Sequence, residues 1–400
     1  MAAERLRDLD GMAAPDAWEG LERYLGVTVR RSLGATAARL AKRGEALRAA
    51  HDRAGSAEKL RLVKRRLVRF RRHYLRTETT LDFFADAVNT RTTPEISALL
   101  RACDLMASKS MERLLDPLGR RTPPVLTYLD KGLGASILKA GLRLWDGGTE
   151  NPVAMIKVVR HNLYRPTSLV HEAGHQVAHI LGWTEELSRV LAGGISRKYP
   201  EVAEAWAAWA SEIAADVFAF VHTGYASVAA LHDVVAGDRG YVFRNIPGDP
   251  HPVSYLRVLL GTRMCTDAFG EGPWDGLAAQ WKRDHPLKDA DPATRRLIVR
   301  SLPLLPRISA LCLKRPLAAF GGRTISQWIP PEEVGPPALR ALAGATGPAL
   351  YTSPHWALAK PLHLLALTGY QAALDPDRAR EALERQRNWM LRLGAGMASA

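Results

Sequence analysis

The sequence predicts a mostly helical α+β protein with a small sheet near its middle. Three observations predict it. Residues 36–76 are rich in Ala, Leu, Arg and Lys and hold no proline, a composition that favours helix. At RRTPPVL (residues 120–126) prolines break that pattern, and VLTYL (residues 125–129) reads as strand. From residue 290 to the end the pattern is helical again, with proline joints at 303–306 and 330–337.

The elements follow in order. A second N-terminal helix is expected over residues 94–115, because Pro94 suits the first turn of a helix. Residues 141–161, GLRLWDGGTENPVAMIKVVRH, read as two strands around a turn at Asp146-Gly147-Gly148. In the second arm Ala154, Ile156 and Val158 alternate with Met155, Lys157 and Val159. Tyr164-Arg165-Pro166 ends that arm. Thr167 or Ser168 can then cap a helix running to Leu181, with Gly182 as its stop. After a loop containing Gly193-Gly194 and Pro200, one long helical pattern spans residues 202–221. The last helix is expected over residues 377–393. These breaks divide the chain into a helical region 1–120, a central region 121–290 and a helical region 291–400.

Composition bounds the function. A chain of 400 residues that is 47% hydrophobic and 24% charged can bury a sizeable core unaided. Cys103, Cys265 and Cys312 are far apart and form no CxxC, so neither a disulfide framework nor a thiolate zinc site is expected. That usage suits a reducing compartment. The N-terminus lacks an apolar signal core and no uncharged apolar run is long enough to span a bilayer. A soluble, cytoplasmic protein is therefore expected.

The net charge of +14 is uneven. RLVKRRLVRFRR (residues 61–72) holds seven bases and no acid. One reading is a stripe that tracks phosphates. The other is the solvated face of a long helix whose remaining apolar side, with Leu62, Val63, Leu67, Val68 and Phe70, packs inward. No nucleic-acid motif accompanies the stripe, so no specific nucleic-acid partner is expected.

The chemistry concentrates in LVHEAGHQVAHILGW (residues 169–183). His171 and His175 stand at i and i+4 on one helix face, and Glu172 lies beside them, able to reach a water on a shared ion. This is the HExxH arrangement of zinc hydrolases. His179 continues the spacing but is excluded as a ligand. The helix rises about 12 Å from His171 to His179, too far for both to reach one zinc at about 2.0–2.1 Å. His179 is instead expected in the core or supporting a ligand.

A third protein ligand must come from elsewhere, since a catalytic zinc keeps three ligands and an open position. WASEIAADVFAF (residues 209–220) places Glu212 and Asp216 four apart on a largely apolar helix. Burying unpaired carboxylates is costly. Glu212 as a ligand, and Asp216 as acceptor of a ligand histidine's N–H, would give both a reason. The competing reading is a wet stripe of Glu201, Glu204 and Glu212.

HEAGH followed by EIAAD, with Glu212 37 residues after His175, resembles the gluzincin zinc metallopeptidases. The alanine before Asp216 makes it most similar to the CAAX-prenyl-protease and heat-shock membrane-protease type, and DPHPVSYLR (residues 249–257) carries a similar His-Pro and arginine. The likeness spans residues 165–257 and departs from that type in having no transmembrane helix. It implies a zincin-like central domain, one zinc ion held by His171, His175 and Glu212, and Glu172 as general base. It also implies Asp216 behind His171, His251 as a transition-state stabiliser and Arg257 as its support. Tyr255 and Tyr225 are alternatives for the stabilising role.

The implied function is zinc-dependent hydrolysis of peptide bonds in a peptide or protein substrate. Met155 to Val159 would offer a sheet edge to that substrate. The alternatives are a zinc hydrolase of another amide, or an idle metallopeptidase fold that serves as an interaction protein. The retained Glu172 favours an enzyme, because a structural ion needs no base.

Overall fold

A computed structural model describes residues 2–130, 135–142, 150–163, 166–195 and 198–396. The protein is mostly helical with one small three-stranded sheet. Among the described residues no helix is long and apolar enough to cross a membrane.

The chain forms two units. The first draws on Met1–Ser97, Pro123–Asp130 and Leu138–Lys157, and the second on Ala98–Thr122, Lys131–Ile137 and Val158–Ala400. These units cut across the segments 1–120, 121–290 and 291–400, because long-range packing, not the position of a proline joint, decides which helices belong together.

In the first unit α1 (Ala2–Arg5) and α2 (Pro15–Leu25) precede a long pair, α3 (Val29–Asp52) and α4 (Ala57–Asn89). The helix-rich stretch 36–76 is broken between α3 and α4, where Ser56 caps α4 by accepting from the Lys59 backbone N–H at 3.3 Å. The core joins Trp18, Leu21, Leu33, Phe84 and Val88 to Tyr128 and Met155 from the sheet segments. Trp18 Nε1 is satisfied by the Leu9 carbonyl at 3.1 Å.

Strands β1 (Val125–Leu129), β2 (Ser136–Leu138) and β3 (Ala154–Val158) pair in the order β1-β3-β2. The expected sheet edge at residues 155–159 is therefore not an edge. β3 is the central strand, flanked on both sides, because the short strand β2 went unread in the sequence. The expected turn at residues 146–148 and the end signal at 164–165 lie outside the described residues.

The second unit holds α5 (Pro94–Leu115) from Ala98 onward, then α6 (Thr167–Leu181) and α7 (Trp183–Gly194). Neither Thr167 nor Ser168 caps α6; the chain enters from Pro166 with no side-chain cap. Gly182 ends α6 as expected, with φ of 64°, a left-handed conformation that glycine adopts without strain. The segment expected as a loop after it is instead α7, which begins at once because six of the eight residues 185–192, EELSRVLA, are strong helix formers.

The long pattern over residues 202–221 is two helices, α8 (Pro200–Ala208) and α9 (Ala210–Thr223). The break falls at Trp209, whose buried ring packs edge-on against Trp206 at 5.5 Å. After α10 (Tyr225–Val235) and α11 (Arg239–Val242), α12 (Ser254–Phe269) completes the elements around the site. The C-terminal helices pack in this same unit; the helix Pro361–Leu374 lies against α9 and α10. The last helix is Ala379–Gly396.

Candidate metal centre

The centre begins with two helices that approach closely. α6 lies along α9, and small residues set their separation. A β-carbon on Gly174 would stand 2.9 Å from Phe218 Cβ and 3.0 Å from Ala215 Cα. Only glycine fits there. Gly174 of HEAGH against Ala215 of EIAAD is therefore the contact that brings the polar residues of both helices together.

Across that contact His171, His175 and Glu212 form a group whose ligand atoms all lie within 4.8 Å of one another, and which could hold a metal ion. Glu212 Oε2 is 3.4 Å from His171 Nε2, and Glu212 Oε1 is 3.2 Å from His175 Nε2. Two donors about 2.0–2.1 Å from one tetrahedral ion stand about 3.3 Å apart, which each of the two Glu212–imidazole spacings matches. The two imidazoles meet edge-on, 4.8 Å between centroids.

The other ring nitrogens are occupied. His171 Nδ1 is 2.9 Å from Asp216 Oδ1. His175 Nδ1 is 3.4 Å from Ser211 Oγ. Holding Nδ1 in this way leaves each Nε2 facing the common point. Ser211 went unread in the sequence. Its one signal is its position immediately before Glu212, which puts it on the turn that faces His175.

Arg257, from α12, ties the acids together. Its Nε donates to Asp216 Oδ2 at 2.6 Å, and its Nη2 donates to Asp216 Oδ1 at 2.8 Å and to Glu212 Oε2 at 3.1 Å. Arg257 thus touches the carboxylates that hold the site. His251 stands at the rim, 61% exposed, with Nε2 3.8 Å from Glu212 Oε1. Its Nδ1 is fixed by Asp249 Oδ1 at 2.7 Å, which also accepts the His251 backbone N–H at 3.0 Å. Asp249 too went unread; an aspartate two residues before a histidine is a weak signal alone.

The buried charges set one another's protonation. Burial opposes a proton on His171, but the hydrogen bonds to Asp216 and Glu212 outweigh it and push the ring up to about 10. Burial would raise Glu212 and Asp216. The bonds from His171 and His175, with the Arg257 charge, instead hold Glu212 well below the usual carboxylate range. Arg257 and His171 hold Asp216 down in the same way. Burial would lower Arg257, but the two acids keep it charged. Glu172 behaves differently: burial raises it, and the nearby His171, His175 and Arg257 only partly oppose this. The centre therefore combines two firmly ionised acids with one carboxylate that holds its proton more readily.

Other residues fall outside the group. His179 is exposed, not in the core, because eight residues carry it about 80° round from His171 and off the buried side of α6. Glu201 and Glu204 are exposed while Glu212 is buried, so the three do not make one wet stripe. Tyr225 packs against Trp274 and Tyr370, and Tyr255 against Phe243. Cys103, Cys265 and Cys312 are buried free thiols.

No family model, curated protein or solved structure matches this chain. The reading of the centre rests on its own residues.

Proposed function

We propose that this protein is a zinc metallopeptidase of gluzincin type, with α6 and α9 as the zincin-like helix pair. The observation that carries the reading is the convergence of His171, His175 and Glu212 on one point, with Asp216 behind His171 and a buried Glu172 beside them. Two imidazoles and a carboxylate are a donor set suited to zinc. Zinc held there would supply Lewis acidity, making a water acidic near neutral pH and polarising a carbonyl.

The chain's own groups would do the rest. Glu172, raised by burial, accepts a proton from the attacking water as its oxygen bonds to the peptide carbon. Glu172 then delivers that proton to the departing amine nitrogen as the C–N bond breaks. His251, whose Nδ1–H donates to Asp249, would serve as the imidazolium, donating its Nε2–H to the developing oxyanion. Asp216 and Arg257 hold His171 and Glu212 in register.

The test pairs metal analysis with cleavage of a broad peptide library. One zinc per chain and peptide cleavage are expected in the wild-type protein. His175→Ala and Glu212→Ala should lose the metal, and His179→Ala should keep it. Glu172→Gln should keep zinc and lose cleavage by roughly 10²–10⁴-fold. Full zinc with no cleavage of any library peptide, or unchanged cleavage by Glu172→Gln, would sink the proposal.

A further inference from the structure

The net charge of the chain sits almost wholly on one helical hairpin. Residues 30–76, in α3, α4 and the turn between them, hold sixteen lysines and arginines against three acids, thirteen of the chain's fourteen net positive charges. Thirteen of those sixteen bases are arginine. Among the described residues the seven bases of residues 61–72 have no ion-pair partner. Like charges stand one turn apart on α4, as with Arg61, Arg65 and Arg69, and such pairs weaken a helix. A surface that keeps this repulsion and no acid to relieve it is complementary to a dense anionic partner.

Apolar side chains are interleaved with those bases. The expectation that the apolar residues of 61–72 pack inward is corrected: Val63 and Phe70 are half-buried, but Leu62, Leu67 and Val68 are 44%, 53% and 57% exposed. Full burial in α4 begins only at Thr77; before it Phe70 and Tyr74 are half-buried against the core, and the opposite side of that half is in water. Leu75 is exposed as well, which puts four of the eleven exposed large apolar side chains of the described residues within fourteen residues of α4. Val63 and Phe70 turn toward α3. On the face opposite them, Val68 and Leu75 lie two turns apart in one line. Arg61 and Arg72 flank that line on one side, and Lys64 and Arg71 on the other.

We propose that the α3–α4 hairpin docks on an anionic lipid bilayer surface, with Val68 and Leu75 at the boundary between headgroups and acyl chains and the flanking bases on lipid phosphates. Arginines can keep their charge at the headgroups while their stems lie along the apolar boundary. A nucleic acid fits less well. A phosphodiester backbone offers nothing to an aliphatic line, and single strands are held by exposed aromatic rings. The aromatics of this stretch, Phe70 and Tyr74, are half-buried on the side turned to the core, and no aromatic side chain of α4 before Thr77 is exposed.

The test is vesicle co-sedimentation of the full chain at roughly physiological salt. Phosphatidylcholine vesicles containing about one-third phosphatidylglycerol should bind the protein, and pure phosphatidylcholine vesicles should not. A variant with Lys64, Arg65, Arg71 and Arg72 all changed to Gln should lose roughly a hundredfold or more in affinity. V68S/L75S keeps every charge and should lose at least about tenfold. All these positions are exposed, so helicity and melting should match the wild type, which both variants must show. Absence of binding to the anionic vesicles overturns the proposal. So does vesicle binding that V68S/L75S leaves unchanged. Tighter binding to a nucleic-acid duplex than to the vesicles at the same salt would assign the hairpin to nucleic acid instead.

Discussion

Asp249 holds His251 twice, through the backbone N–H at 3.0 Å and through ring Nδ1 at 2.7 Å. A mostly exposed side chain would otherwise sample several rotamers. The double contact fixes both the ring's orientation and the nitrogen left to face Glu212. Neither residue ligates the metal in our scheme, so Asp249→Asn and His251→Ala should both keep full zinc. His251→Ala should slow turnover by roughly 10²–10³-fold with little change in KM, as loss of an oxyanion donor does. Asp249→Asn should fall in between, because the ring remains but is less well held. Steady-state kinetics beside metal analysis measures this; an effect on KM alone would show that His251 binds substrate uniformly.

Asp216 is expected to act through His171 and Arg257. Asp216→Asn should lower zinc affinity by roughly 10–100-fold, read by competition with a chromogenic chelator. Arg257→Gln should be more damaging to the fold, since it leaves Asp216 and Glu212 buried without their cation. Breaking such a pair costs about 3–5 kcal/mol, which denaturant titration resolves. An Arg257→Gln protein as stable as the wild type would show that these acids do not need the guanidinium.

Gly174→Ala should force α6 away from α9. The added methyl meets Ala215 backbone, which cannot swing aside. A loss of about 1–3 kcal/mol is expected, with weaker metal binding because the two halves of the ligand set lie on different helices. Gly193→Ala is the control: nothing lies within 4 Å of its β-carbon. It should be neutral or stabilising by up to about 1 kcal/mol through helix propensity. Equal zinc affinity in Gly174→Ala and the wild type would refute the role given to this contact.

His222 and His363 set a pH dependence of stability. Burial lowers His222 from 6.5 to about 3, and burial with the Lys360 and Arg113 charges lowers His363 from 6.5 to about 4. Both are depressed bases. Between the folded and unfolded values the unfolded chain binds a proton that the folded chain refuses. Stability is therefore full above pH 6.5 and is lost as pH falls toward these lower values, by about 1.4 kcal/mol per pH unit for each group. Urea titrations at pH 7 and pH 5 measure the slope. His222→Gln, which can still meet the Phe218 carbonyl, should be less steep by one group's share; identical slopes would rule His222 out.

How much of this was legible in the sequence depended on range. HEAGH and EIAAD were readable because helix geometry fixes which side chains share a face within a turn. Glu212 was readable from the cost of burying an acid among Ala, Ile and Phe. Ser211 and Asp249 were missed because their roles depend on neighbours distant in sequence. β2 was missed because three residues carry no periodicity, and with it the central place of β3. His179, expected in the core or supporting a ligand, is exposed: apolar neighbours in sequence do not show that two turns of drift have carried it off the buried side of α6. Leu62, Leu67 and Val68 were read as packing residues because apolar character alone does not say whether a partner reaches that half of the helix.

The interruption at Trp209 has an electrical consequence. Had residues 202–221 formed the single helix their pattern suggests, Glu212 would sit mid-helix with its local backbone amides all committed. Because α9 starts afresh at Ala210, Glu212 lies in a first turn. The amide groups there are unpaired within the helix, and the macrodipole presents its positive end. That field favours the carboxylate over the carboxylic acid by typically 0.3–1 kcal/mol, and by up to about 2 kcal/mol where partly buried. A kink that looks like a packing accident of two tryptophans thus helps deliver a ligand already stripped of its proton, lessening the competition between hydrogen ion and metal for the same oxygen.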